Sequence, residues 1–120
     1  VILVGSADSK SDTNISARYV LDIIGNDKLL FGDAFNSKTI DNLWAWNKVT
    51  VAIVDTNTVG GFQLKGDALD VGDEELVEKA SLRLKGFGFS NSPQRIWTFE
   101  VKEIYSLNTS DDSKVPLMSA

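Results

Sequence analysis

The chain has 120 residues, 42% hydrophobic and 24% charged, with a net charge of −5. That composition suits one globular domain with a buried core and argues against the broad cationic surface that non-specific nucleic-acid binding needs. There is no Cys and no His, which removes thiol, disulfide and zinc-thiolate chemistry and the commonest general base. An enzyme built on this chain is therefore expected to draw its reactivity from a cofactor. The absence of Cys fits a cytoplasmic location, and no apolar run reaches the length of a membrane span.

Val1 to Ala7 reads as a strand and Asp8 to Asp12 as its turn. A second strand is expected from Asn14 to Ile24, where Ile15, Ala17, Tyr19 and Leu21 alternate with Ser16, Arg18 and Val20. After the turn Gly25 to Lys28, Leu29 to Asp33 forms a third strand. Short polar turns between the three predict an antiparallel meander.

Next comes a helix from Asn36 to about Trp46, with Asn36 as N-cap and Ile40, Leu43 and Trp44 on one apolar stripe. Val49, Val51 and Ile53 alternate in a strand from Lys48 to Asp55. A long strand from Gly60 to Val71 has Phe62, Leu64 and Leu69 as inward candidates, and Gly66 in its middle predicts a bulge or a close backbone approach. Asp73 caps a second helix with Glu74 and Glu75 in its first turn and Arg83 and Lys85 in its last, a polarity that complements the helix dipole. Gly86 to Pro93 is a loop, Gln94 to Leu107 the final strand with Trp97, Phe99 and Val101 on one face, and Asn108 to Ala120 a polar tail expected to be mobile. These elements predict a small mainly β barrel with two helices attached.

The segment with most chemistry is Leu29 to Ile40, an apolar strand running through a short turn into a helix that opens Asn36-Ser37-Lys38-Thr39. Free backbone N–H groups, two hydroxyls and one ammonium gather at a helix N-terminus, where an anion is stabilised. Lys38 is electrostatically misplaced in a first turn, by roughly 0.3–1 kcal/mol, and a bound phosphate reverses that sign. An ordinary cap with a solvated first turn accounts for the same residues equally well. Arg18 could supply a second donor, and Asp33 and Gln63 could bond a heterocycle; each also fits a half-exposed sheet. Trp44 is expected in the core, Trp97 in the core or an interface, and Trp46, off the apolar stripe, under some cover such as a subunit interface.

The order of these pieces resembles the pyridoxamine 5′-phosphate oxidase-like family of FMN-binding split barrels. The resembling stretches are Asn14 to Val20, Leu30 to Leu43, Asn47 to Val54 and Gly61 to Ala68. The resemblance implies a mainly β fold: a six-stranded antiparallel split barrel with Greek-key-like connections and two helices, covering residues 1–107 ahead of the tail 108–120. It further implies a homodimer with FMN in clefts at the subunit interface. By position, Ser37, Lys38 and Thr39 would hold the phosphate, Ser16, Ala17 and Arg18 would run along the cofactor, Gly32 and Asp33 would border the flavin ring, and Gln63 is a weaker candidate for the ring edge. The implied activity is that of an FMN-dependent oxidoreductase of unknown substrate, with a reduced nicotinamide nucleotide as a possible electron donor. Non-catalytic flavin-nucleotide binding, storage or sensing is the alternative. The aromatic run Leu43-Trp44-Ala45-Trp46-Asn47 departs from the family, whose helix here typically ends in acidic residues and Asn-Pro, and so does the lack of a helix ahead of the first strand.

Overall fold

A computed structural model describes residues 1–33, 38–89, 95–108 and 115–119. The elements in chain order are β1 (Ile2–Ala7), β2 (Thr13–Arg18), β3 (Asp22–Ile24), β4 (Lys28–Asp33), α1 (Lys38–Ala45), β5 (Lys48–Asp55), β6 (Gly60–Asp70), α2 (Glu74–Gly86), β7 (Arg95–Ser106) and β8 (Met118–Ser119). All pairings are antiparallel, in the order β2-β1-β5-β6-β7-β4-β3, with β8 added beside β7.

The sheet is mainly β and open, with seven strands in that path instead of the six expected. The difference arises within Asn14 to Ile24, which is two strands: β2 pairs with β1, while β3 pairs with β4. The meander also fails, since β4 lies between β3 and β7 and never pairs with β2.

β2 and β3 stand at opposite ends of the strand order, which in a flat sheet puts them about 29 Å apart at ordinary strand spacing. Yet only Tyr19, Val20 and Leu21 join them, a reach of at most about 14 Å from Arg18 to Asp22. The sheet must therefore curl until its two edges nearly meet, bridged by chain instead of by a hydrogen-bonded ladder.

Inside the curl lies the main core: Ile2 and Val4 of β1, Phe31 of β4, Val49 and Val51 of β5, Leu64 and Ala68 of β6, Trp97 and Phe99 of β7, with Leu43 from α1. A second core forms where α2 packs Ala80 and Leu84 on Leu21, Leu30 and Ile96. β4 thus buries Phe31 on one side and Leu30 on the other, which is why Leu29-Leu30-Phe31 is apolar without alternation. α2 begins on Asp73, whose carboxylate accepts from the Glu75 N–H at 2.9 Å, and it has the acidic start and basic end expected of it.

Two of the expected inward positions, Phe62 and Leu69, are exposed. Phe62 and Ile53 face each other near the far end of the β5–β6 hairpin, beyond the core, and both are exposed. Leu69 is out of phase with buried Leu64 and Ala68 and is exposed as well. Gly66 does mark a register shift, leaving Lys102 as the extra residue of β7 opposite Lys65 and Gly66. The bulge flips the phase of β7, so that Ile104 takes the next inward place after Val101, while Glu103 and Tyr105 fall on the outer face. Part of the expected mobile tail is ordered as β8, Met118 pairing with Ile104 and Ser119 with Glu103. The Asn36 cap and the loop residues 90–93 lie outside the described residues.

Candidate functional site

The outer face of the sheet is built by cross-strand rows. One row runs Ala17, Leu3, Ala52, Gln63, Tyr105, and the next runs Ile15, Gly5, Thr50, Lys65, Glu103. Gly5 and Thr50 in the middle of the second row, and Ala7 beyond it, are small and leave a depression between taller neighbours. A cleft of about 690 Å³ opens there, within the size range of small-molecule and cofactor sites. Gly5, Ala7 and Thr50 line it together with Ile15 and Trp46, while Ser6 and Asn14 face it from the side of α1. A Cβ on Gly5 would touch only Thr50, at 3.4 Å from its carbonyl oxygen, so the floor there is open.

The cleft lining carries Lys48, Lys65 and Lys102 against Asp67 and Glu103, a cationic excess in a chain whose net charge is −5. Lys48 pairs with Asp67 at 2.7 Å, and Lys102 pairs with Glu100. Lys65 lies over the Tyr105 ring, 5.0 Å from its centroid, and has no carboxylate within ion-pair distance among the described residues. The Tyr105 hydroxyl donates to Glu103 at 2.8 Å, and that bond pushes the phenol above its ordinary pKa.

Of the nine residues singled out in the sequence, the seven whose side chains are described do not line this cleft, although several stand at its border. Thr39 is buried; its hydroxyl accepts from the Asn14 amide at 3.1 Å and meets the Ser16 hydroxyl at 2.7 Å. One turn on, the buried Asn42 amide donates to Ser6 at 3.1 Å, while its Oδ1 has no partner among the described residues. Because Asn14 and Ser6 also line the cleft, the start of α1 is joined to the cleft wall through these two contacts. Lys38 bonds Asp8 at 3.2 Å, so a carboxylate of this chain already supplies the counter-charge that the helix start lacked.

Ala17 and Gln63 share an outer row, and Ser16 and Arg18 point to the other face of β2. The Arg18 guanidinium donates to the Ala17 carbonyl at 2.7 Å. Gly32 is enclosed: a Cβ there would lie 3.0 Å from Ile96 and 3.3 Å from Leu21. Asp33 pairs through its backbone with Arg95, its side chain lying outside what is described, and Ser37 lies outside the described residues altogether. Sequence reasoning missed Gly5, Thr50 and Lys65. The available signal was the polar phase of β5 and β6, with Lys48 and Thr50 alternating with buried Val49 and Val51.

Trp97 is buried, as expected. Trp44 is 56% exposed and not in the core; its ring stands edge-on to Trp97 at 5.9 Å, with the Arg95 guanidinium 4.9 Å from its centroid. Among the described residues no group of His, Cys, Asp or Glu could hold a metal ion, and no helix is long and apolar enough to cross a membrane.

Three surface carboxylates are held below their usual pKa. Backbone N–H groups of Asp12 and Lys10, then Lys38, act on Asp8; Lys79, then the Ile23 N–H, acts on Asp22; Lys102 acts on Glu100. A carboxylate whose folded pKa is depressed stabilises the fold above its unfolded value, and that contribution is lost as pH falls through the folded one. The urea midpoint is therefore expected to fall between pH 7 and pH 3; equal midpoints would contradict these assignments.

No family model matches the sequence, and no curated protein matches it. Solved structures do, and they define the fold as one shared with FMN-binding proteins and proteins of the pyridoxamine 5′-phosphate oxidase family. One is HupZ of Group A Streptococcus, at TM-score 0.79 and 19% identity, covering 92% of this chain and 87% of that one. Another is an FMN-binding protein from Syntrophomonas wolfei subsp. wolfei, at TM-score 0.79 and 20% identity, covering 91% and 78%. A third, from Clostridium acetobutylicum, is related to general stress protein 26 of B. subtilis and described as of the pyridoxinephosphate oxidase family; its TM-score is 0.71 and its identity 19%, with 88% and 77% covered.

Proposed function

We propose that the chain is an FMN-binding flavoprotein of the pyridoxamine 5′-phosphate oxidase-like family, with the flavin in the outer-face cleft. The observation that carries this reading is a cofactor-sized depression with a bare glycine floor and a cationic excess, on a fold shared with FMN-binding proteins. Its donor set suits a planar ring with an anionic tail: apolar walls at Ile15 and Trp46, and the ammonium groups of Lys48, Lys65 and Lys102 in the lining.

FMN supplies hydride or electron transfer through its isoalloxazine, so a chain without His or Cys can still serve an oxidoreductase. In that role Gly5, Ala7 and Thr50 seat the ring, and Lys38 with Ser37 receives the phosphate at the start of α1, where buried Thr39 ties the helix to Asn14 and Ser16. The cleft is broadly open to solvent, and a second copy of the chain closing over it would exclude water from the flavin. Non-catalytic flavin-nucleotide binding or storage uses the same residues. Oxidation of NADH or NADPH by the FMN-loaded protein distinguishes the two; no turnover with either nucleotide tells against a reductase. An absorption spectrum of the purified protein, with any bound chromophore extracted and identified, tests the binding reading itself.

The phosphate assignment has a sharper test, because Asp8 competes for Lys38. Lys38→Ala is expected to weaken FMN binding by roughly 1.5–3 kcal/mol, the range for a charge-assisted hydrogen bond. Asp8→Asn should strengthen it, since an amide keeps an acceptor for the turn N–H groups but no longer holds the ammonium. Riboflavin, which lacks the phosphate, should respond to neither. If Lys65→Ala alone discriminates FMN from riboflavin, the phosphate lies against Lys65 and not at the start of α1.

A further inference from the structure

The two exposed indoles that follow one another at the end of α1 have different surroundings. Trp44 is engaged by the Trp97 edge and the Arg95 guanidinium. Trp46 is 57% exposed and has no ring or cation partner among the described residues. It nevertheless has a fixed backbone: its N–H donates to the Asn42 carbonyl at 2.7 Å, and β5 begins two residues later. It also lines the cleft, together with Gly5 and Ile15. An exposed indole on a backbone fixed between a helix and a strand, with no ring or cation partner among the described residues and lining a concave site, is matched by a planar ring in that site.

Resting on the flavin reading above, we infer that Trp46 is a ligand-stacking residue of this cleft, the indole against which the isoalloxazine is held. The cationic excess of the lining favours such an occupant, a planar aromatic ring carrying an anion, over an uncharged apolar partner. Trp46 belongs to the aromatic run Leu43 to Asn47, a feature of this chain's own sequence. Stacking sets both the affinity for the ring and its emission, because a stacked indole quenches an excited flavin by electron transfer, with no net change in either group afterwards.

The test titrates FMN into the intact protein and its variants, reading flavin fluorescence and, in parallel, the mass in solution by light scattering. With the unaltered protein, bound FMN should be strongly quenched. Trp46→Leu should weaken binding about tenfold and restore most of the emission of the FMN that still binds. Trp46→Phe, which keeps a ring, should retain most of the affinity, and Trp44→Leu should leave both readouts unchanged. Unaltered affinity and quenching in Trp46→Leu would overturn the stacking role while leaving the flavin reading intact. So would a fall in mass without a change in quenching, which would make Trp46 a contact between copies of the chain. If the unaltered protein binds no FMN, both readings fall together.

Discussion

Gly66→Ala is expected to cost about 3 kcal/mol or more, enough to leave much of the protein unfolded. A Cβ at this position would lie 1.9 Å from the carbonyl oxygen of Glu100 and 3.1 Å from the Phe99 ring. Neither can withdraw. The Glu100 carbonyl is part of the central β6–β7 ladder beside the bulge, and Phe99 is wholly buried in the main core. The strands must then separate beside the bulge, and the loss spreads to the packing of Leu64 and Ala68 on either side. Urea titration followed by far-UV circular dichroism measures the effect, with Gly72→Ala as control because a Cβ there meets nothing within 4 Å. A Gly66 variant within 1 kcal/mol of the unaltered protein would show that the bulge relaxes freely.

Gly5→Val should do the opposite: keep the fold and remove the ligand. Gly5 pairs with Ile15 on one side and Thr50 on the other, and a side chain there has only the Thr50 contact before it enters the cleft. Valine suits an extended backbone better than glycine, so stability should hold or rise by as much as about 0.5–1 kcal/mol. The branched side chain would stand where a flat ring must lie. FMN affinity is expected to fall at least about tenfold, a change of about 1.4 kcal/mol, and riboflavin should lose as much, since the floor bears on the ring and not on the phosphate. Equilibrium dialysis with both ligands, beside a thermal melt, gives the result. Undiminished FMN binding in a folded Gly5→Val protein would remove the flavin from this cleft.

The two glycines line the same cleft and differ only in what lies beyond the missing Cβ. In the sequence Gly66 stood out because it interrupts a strand of alternating residues, and alternation is a local property. Gly5 did not, because an open floor is a property of the three strands that surround it. Lys38 shows the same division. Reading along the chain, a cation at a helix start lacks a counter-ion; in the folded protein Asp8, thirty residues earlier, is 3.2 Å away. Charge bookkeeping within one element could not find it.

What the sequence by itself determined was local: the strands β1, β4, β5 and β6 to within a residue or two, the capped α2, the irregularity at Gly66, and a chemistry without His or Cys. These follow from side-chain periodicity, turn residues and composition, which act over a few neighbouring positions. Only the tertiary structure decided that Asn14 to Ile24 divides into two strands at opposite ends of the sheet, that Trp44 is exposed, and that Gly5, Thr50 and Lys65 meet around one cleft. Each of these depends on strand pairing between residues far apart in the chain. Pairing is settled by how the whole sheet curls to bury its core, and no single segment carries that information.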